Sequence, residues 1–290
     1  MPPARANSIR RALNRRVQAR RVALHDSRFH TILRVDAHAP ALVLSPHWDD
    51  AVLDCWSVLA SDREVNVVNV FAGSPAPGRV TLWDSITGAS DSAEQTRARV
   101  VEDARALALV NRTALNLPFL DNQYRAQAGP PLEEIDRAVG ANVPSASHVY
   151  MPAGVGGHPD HLLVRRYGQA LARSGMPVTL CVDLPYCVAH GWPHWVDGSE
   201  ADPHRNVDAF WLSFLAGVPE LGPLRAAHVE RLDDAAAAAK LAAMVCYRTQ
   251  FPALDGGSRQ MLSDPAIHRF EVRWDLADGD GKPRDQSSSS

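Results

Sequence analysis

The chain of 290 residues lacks the marks of several protein classes. Its four cysteines, Cys55, Cys181, Cys187 and Cys246, include no Cys-x-x-Cys pair, which argues against a zinc ribbon or a dithiol redox motif. Scattered cysteines in a chain of this length are expected to be buried thiols in a reducing compartment. No apolar stretch approaches the roughly 20 residues needed to cross a bilayer. No hydrophobic segment follows the N-terminal arginines either, so no secretory signal is read. A formal charge of -3 gives no reason to expect nucleic acid as a partner. A cytoplasmic protein acting on a small molecule is expected, with homo-oligomerisation left open. The length suits one large α/β domain, and no internal repeat is present.

Arginines interleave with Ile9, Leu13, Val17 and Val22 at near-helical spacing over residues 8–23. Residues 1–39 therefore read as a basic helix and lead-in, its apolar stripe packed on the main domain. Strand-like and helix-like runs alternate from residue 41. Strands are expected at Ala41–Leu44, Val65–Phe71, Thr113–Leu117, His148–Met151 and Val178–Leu184. Helices are expected at Asp50–Leu59, Glu94–Leu109 (capped by Asp91 or Ser92), Leu132–Val139, Asp160–Ala172 and Arg231–Tyr247. Such alternation predicts an α/β fold with a mostly parallel sheet and helices on both faces. Gly73–Ser90 reads as a long loop and 185–223 as an insertion near a pocket mouth. Residues 40–277 form the single domain, and the Gly- and Ser-rich tail 278–290 reads as disordered.

Ser45-Pro46-His47-Trp48-Asp49-Asp50 follows the apolar run Ala41-Leu42-Val43-Leu44 directly. Polar groups just past a strand end sit where α/β sheets open their ligand crevice. One imidazole and two carboxylates there can hold a divalent metal with one carboxylate to spare. A second cluster, Gly156-Gly157-His158-Pro159-Asp160-His161, follows the apolar Val149-Tyr150-Met151. His47 and Asp50 lie three apart on a turn and can face one metal, with His161 as third ligand. Asp49 then points beside the metal as general base, and His158 can donate to a developing oxyanion. Neutral imidazole and carboxylate suit Zn2+, with Fe2+ the alternative in the cell. Taken singly, Asp49 or Asp50 reads as a helix cap; two clusters after two strands favour the metal.

The two clusters carry a family resemblance. Ser-Pro-His-Trp-Asp-Asp-Ala-Val-Leu-Asp-Cys resembles the Pro-His-x-Asp-Asp signature of the LmbE-like, or PIG-L, metal-dependent deacetylases, and Gly-His-Pro-Asp-His at 157–161 resembles that family's second signature. Weaker features agree: Arg99-Val-Val-Glu102-Asp103 with the family's Arg-x-x-Glu helix, Leu117-Pro118-Phe119-Leu120-Asp121 with its Leu-Pro-x-x-Asp loop, and Lys240 to Gln250 with its late Lys…Tyr-x-Ser-Gln helix. The resemblance spans residues 40 to 252. It implies a Rossmann-like fold and removal of acetyl from an N-acetylglucosamine-like unit. It also implies His47, Asp50 and His161 as metal ligands, Asp49 as base, His158 as stabiliser or acid, and Arg99 and Asp121 as substrate contacts.

There are departures from the pattern. Ala51 stands where the family often has Glu, Trp48 is bulky for its position and is expected to narrow or re-aim the pocket, and Gly156 stands where mycothiol-pathway members carry tyrosine. Trp83, Tyr186, Trp192 and Trp195 offer flat apolar surfaces for an aglycone. The alternatives are an amidase of the same chemistry acting on a thiol conjugate or larger acyl group, and a Rossmann-like binding protein or glycosyltransferase. A nucleotide binder should show a Gly-rich phosphate loop after its first strand, and Ser-Pro-His-Trp is the wrong chemistry for one.

Overall fold

The computed structural model describes residues 31–276, except 127, 189–190, 200–205 and 216–226. The basic helix expected over 8–23 and the tail 278–290 lie outside the described residues. Among the described residues nine strands are seen: β1 (Arg34–Val35), β2 (Ala41–Ser45), β3 (Val65–Asn69), β4 (Ala114–Asn116), β5 (Ser145–Ala146), β6 (Val149–Pro152), β7 (Val178–Cys181), β8 (His228–Arg231) and β9 (Phe270–Asp275). The helices in chain order are α1 (Asp50–Asp54), α2 (Trp56–Leu59), α3 (Leu82–Ile86), α4 (Ser92–Ala108), α5 (Leu132–Asn142), α6 (Pro159–Arg173), α7 (His194–Asp197), α8 (Val207–Leu215), α9 (Asp234–Met244), α10 (Phe251–Gly257) and α11 (Pro265–His268).

The main sheet has the order β4-β3-β2-β6-β7-β9-β8, and β1 pairs with β5 apart from it. All five residues of β2 are buried, as a strand covered on both faces requires. From β2 the chain builds β3 and β4 on one side, then crosses back to lay β6 and β7 on the other. The strand order therefore reverses between β2 and β6, which pair in parallel through Leu42–Val149 and Val43–Tyr150. Ligand crevices of open α/β sheets form at this kind of switch point, outside the carboxyl ends of the strands. Both expected clusters leave those two strand ends, and this is why they meet.

The sheet is parallel from β4 to β7, and β9 then runs antiparallel to β7 and β8 to β9. The antiparallel pair was not read from the sequence. Its hairpin arms are separated by α9 to α11, so no short turn marks them, and β8 is exposed along its length. Two other expectations are corrected. The helix expected at Asp50–Leu59 is broken at Cys55, whose φ of -131° is not helical. The segment Gly73–Ser90 is not all loop: α3 forms inside it, closed by a capping box between Thr81 and Asp84. α4 begins where expected, with the Asp91 carboxylate accepting from the Glu94 amide at 2.9 Å. Among the described residues no helix is long and apolar enough to cross a membrane.

Candidate metal centre and its cavity

The turn after β2 is shaped by its own side chains. Ser45 Oγ donates to the His47 carbonyl and accepts from the Ala51 amide, and the Asp50 carboxylate accepts from the His47 amide at 2.8 Å. Asp49 stands at the N-cap of α1 but makes no side-chain cap bond, so its carboxylate stays available to the cavity. The second cluster starts α6, with His158 as N-cap and Pro159 in the first turn. His158 Nδ1 accepts from the Asp160 amide at 3.3 Å, which leaves Nε2 to carry the proton toward the cavity.

Asp50 Oδ2 lies between two imidazoles, 3.2 Å from His47 Nδ1 and 3.3 Å from His161 Nε2. Each imidazole is held from behind. His47 Nε2 meets Asp160 Oδ2 at 3.1 Å, and Asp160 is fixed by the Asn122 amide at 2.8 Å and by Arg125. His161 Nδ1 meets Asp183 Oδ1 at 2.6 Å. A carboxylate behind each imidazole fixes the ring and makes its far nitrogen a better ligand. His161 Nε2 is buried and has no hydrogen-bond partner. Donor atoms of His47, His158 and His161 lie within 4.8 Å of one another, as do those of His47, Asp121, His158 and Asp160.

The residues present fit a divalent cation. His161 Nε2 makes no aligned hydrogen bond and meets only Asp50 Oδ2 at 3.3 Å, and buried carboxylates here (Asp49, Asp50, Asp121, Asp160, Asp183) outnumber the buried or half-buried arginines Arg99 and Arg125. The titration of the groups records the same excess. Burial alone would lower His47, yet Asp121, Asp160 and Asp50 lift it to about 10. Burial likewise opposes ionisation of Asp50, but His161 and His47 hold it well below the usual carboxylate range. Burial pushes Asp49 up, with Arg99 opposing and the Asp50 charge adding to the rise, the direction that suits a general base working near neutrality. His158 is lowered to about 4 by burial and by the two neighbouring imidazoles, so it is neutral and a donor.

A cavity of about 510 Å³ opens above this floor, lined by the site residues and by Leu53, Trp83, Tyr186, Gln250 and Leu254, among others. Arg99 and Asp121 reach it together. Arg99 lies 3.3 Å from Asp49 and 3.9 Å from Asp121, its guanidinium 4.5 Å over the Trp48 ring. Trp48 is thus 1% exposed beneath Arg99 and does not line the cavity; of the two expectations, that it narrows or re-aims the pocket, direct narrowing is not seen. Of the four expected aromatic surfaces, Trp83 and Tyr186 line the cavity. Trp192 and Trp195 instead pack on Trp211, at 5.5 and 6.2 Å between ring centroids, and belong to the core of the inserted segment.

Residues that the sequence reading passed over also converge here. Asp183 ends the apolar run of β7, the same signal that marked the first cluster, and Asp160 lay unassigned inside the second signature. Asn122 and Gln123 reach the cavity from a short 3-10 turn with no pattern of its own, and Gln250, the last residue of the Lys240-to-Gln250 resemblance, reaches it as well.

Together, the mostly parallel α/β sheet and the His/Asp cluster at its switch point have the donor set that suits a divalent metal. Residues 42–172 match the family PIG-L: GlcNAc-PI de-N-acetylase. Among curated proteins none matches the chain. A deacetylase triple mutant from the teicoplanin biosynthetic pathway is similar in structure, at 25% identity and a TM-score of 0.63, covering 84% of this chain and 100% of that one. The A40926 pseudoaglycone deacetylase Dbv21 is similar at 26% identity and a TM-score of 0.58, covering 84% of this chain and 98% of that one. Residues 42–172 thus match the PIG-L (LmbE-like) family, and the similar structures of comparable length are deacetylases.

Proposed function

We propose that this protein removes the N-acetyl group from an N-acetylglucosamine-like unit on a larger glycoconjugate or natural product, with a single divalent ion held by His47, Asp50 and His161. The observation that carries the reading is the convergence of two buried imidazole nitrogens, His47 Nδ1 and His161 Nε2, on the one oxygen Asp50 Oδ2 at 3.2 and 3.3 Å. When bound, such an ion acidifies a water and polarises the acyl carbonyl. Zinc fits this donor set, and iron(II) is the alternative.

Asp49 takes the proton from the attacking water and passes it to the leaving amine; Arg99 keeps its carboxylate aimed into the cavity. His158 donates from Nε2 to the oxygen on which negative charge develops. Arg99 and Asp121 are assigned to sugar hydroxyls, with Asn122, Gln123 and Gln250 adding neutral donors and acceptors. Beyond the sugar, Trp83, Ala253 and Leu254 form an apolar wall, and the Trp83 indole is fixed by a 2.8 Å bond from Nε1 to Gln250 Oε1. Such a wall suits an apolar aglycone, in keeping with the glycopeptide deacetylases to which the chain is similar.

The test is metal analysis of the purified protein followed by amine release from free N-acetylglucosamine and from its aryl and natural-product glycosides. About one equivalent of metal and a higher kcat/KM on the glycosides are expected. Active protein without stoichiometric metal would overturn the metal assignment. Equal efficiency on free and conjugated sugar would overturn the larger substrate, and activity on acyl amino acids alone would replace the sugar.

A further inference from the structure

Tyr186 is placed with unusual care for a residue in an irregular segment. It follows β7 and opens a short 3-10 turn, Tyr186–Val188. The turn is tied down on both sides: the Leu184 amide donates to Asp54 at 2.8 Å, and the Cys187 amide donates to the Asp183 carbonyl at 3.1 Å. Asp183 itself accepts from the Val155 amide at 2.8 Å while holding His161. The carboxylate that orients His161 therefore also anchors the turn that carries Tyr186.

The ring stands against both histidines of the second cluster. It stacks on His158 with centroids 6.1 Å apart and planes at 29°, and meets His161 edge-on at 5.5 Å and 87°. Gly156 makes room for it. A Cβ at Gly156 would lie 2.5 Å from Tyr186 Cβ, and its φ of +87° is one that L residues rarely adopt. The loop and the tyrosine are complementary, with no slack between them.

The cavity lining sorts by chemistry around the site. Arg99, Asp121, Asn122 and Gln123 offer polar groups to a sugar, whereas Leu53, Gly156, Pro185 and Tyr186 offer none of that charge and mostly carbon. An acyl carbon placed between the histidines and Asp49 has two remaining substituents, the amide nitrogen with its sugar and the acyl tail. The sugar needs the polar side, so the tail faces the apolar one. We infer that Tyr186, seated on Gly156, closes the acyl side of the cavity and sets the length of acyl group that the enzyme removes. This rests on the deacetylase reading above and adds the residue that makes acetyl the preferred group.

The experiment measures amine release from N-acetyl, N-propionyl, N-butyryl and N-hexanoyl glucosamine as one aryl glycoside. It uses the metal-loaded wild type, Tyr186→Phe, Tyr186→Leu and Tyr186→Ala, with metal content checked for each. One methylene in a closed apolar slot changes kcat/KM by roughly 10-fold or more. The wild type should fall steeply from acetyl to butyryl, and Tyr186→Phe should keep that profile. Tyr186→Ala should raise the butyryl-to-acetyl ratio at least about 10-fold, with Tyr186→Leu between. An unchanged ratio in metal-loaded Tyr186→Ala overturns the inference. So does a wild type that cleaves hexanoyl as well as acetyl, a result that needs no variant to fold. Release from none of the four by the wild type would instead remove the deacetylase reading, and this inference with it.

Discussion

Two buried polar networks, only a few side chains apart, differ in one respect. Around His47, Asp50 and His161 the carboxylates are in excess and one imidazole nitrogen, His161 Nε2, makes no aligned hydrogen bond and only a 3.3 Å contact with Asp50. Behind them, where α9 meets α4 and β9, each buried carboxylate is met by more than one donor. Lys240 Nζ lies 2.9 Å from Glu271 Oε1, which also accepts from the Trp56 amide at 2.7 Å, and Arg273 and Ser57 take the other oxygen. Tyr247 Oη lies 2.9 Å from Asp103 Oδ1 and 3.1 Å from the Trp48 carbonyl, its one proton shared between them, and Glu102 accepts from Thr249 at 2.8 Å. The same stretches of sequence, Arg99 to Asp103 and Lys240 to Gln250, thus divide into residues that face the cavity and residues that brace its wall. Charge balance separates a site with carboxylates in excess from a scaffold in which Lys240 and Arg273 match the Glu271 carboxylate, although Arg273 Nε keeps no hydrogen bond.

The sharpest way to break the comparison is to remove an orphaned donor. His161→Ala should lose its metal and on the order of 10³-fold or more in kcat/KM, read by metal analysis and initial rates, because a ligand rather than its support is removed. A variant that kept metal and turnover would merge the two networks into one scaffold. Asp49→Asn should keep the metal and lose about 10² to 10⁴ in kcat, the range for a general base. If it emptied the site instead, Asp49 and Asp50 would have to exchange roles. The brace should answer to stability. Lys240→Met leaves the Glu271 carboxylate buried without its ammonium partner and should cost about 3–5 kcal/mol in denaturant unfolding, with metal content unchanged in the folded fraction. Asp183→Asn belongs to the boundary between the networks: it should weaken metal binding about 10- to 100-fold, since Asp183 acts through His161.

The extent to which the molecule was legible follows the same division. The two metal-facing clusters stood out because each is a short polar run closing an apolar strand, and β2 and β6 adopt the expected strands almost residue for residue. Their convergence needed only the parallel order of an α/β sheet. Asp183 was missed although it lies two residues past the end of β7, because a single carboxylate inside a run expected to continue to Leu184 has no spacing to read. The brace residues were noticed by resemblance, but their work was invisible, since Lys240 pairs with Glu271 across thirty-one positions that no period links. The antiparallel edge failed to register for a related reason. β8 is exposed on all four residues and β9 follows three helices, so neither alternation nor a turn signal announced a pair. Trp48 misled by size alone, its fate being set by Arg99 from a distant helix.

The smallest expected effect sharpens the comparison from the side of the brace, through pH. Burial would raise Glu271, but Lys240 and Arg273 overcome it and hold the carboxyl at about 2, below its ordinary 4.5. A carboxyl depressed in the folded state stabilises that state at pH above its unfolded value, and the contribution is lost as pH falls from about 4.5 toward 2. By pH 3.5 the loss should be about 1 kcal/mol from this group. The measurement is urea unfolding of metal-free protein at pH 5 and pH 3.5, wild type against Glu271→Gln, so that release of metal in acid does not contribute. The variant should be less stable at pH 5 because it loses the ion pair, yet its stability should fall less between the two values. An equal fall in both proteins would mean that Glu271 is not held low in the fold. The brace would then owe its strength to hydrogen bonds and packing rather than to the buried charge, and the contrast with the cation-demanding site would narrow to geometry.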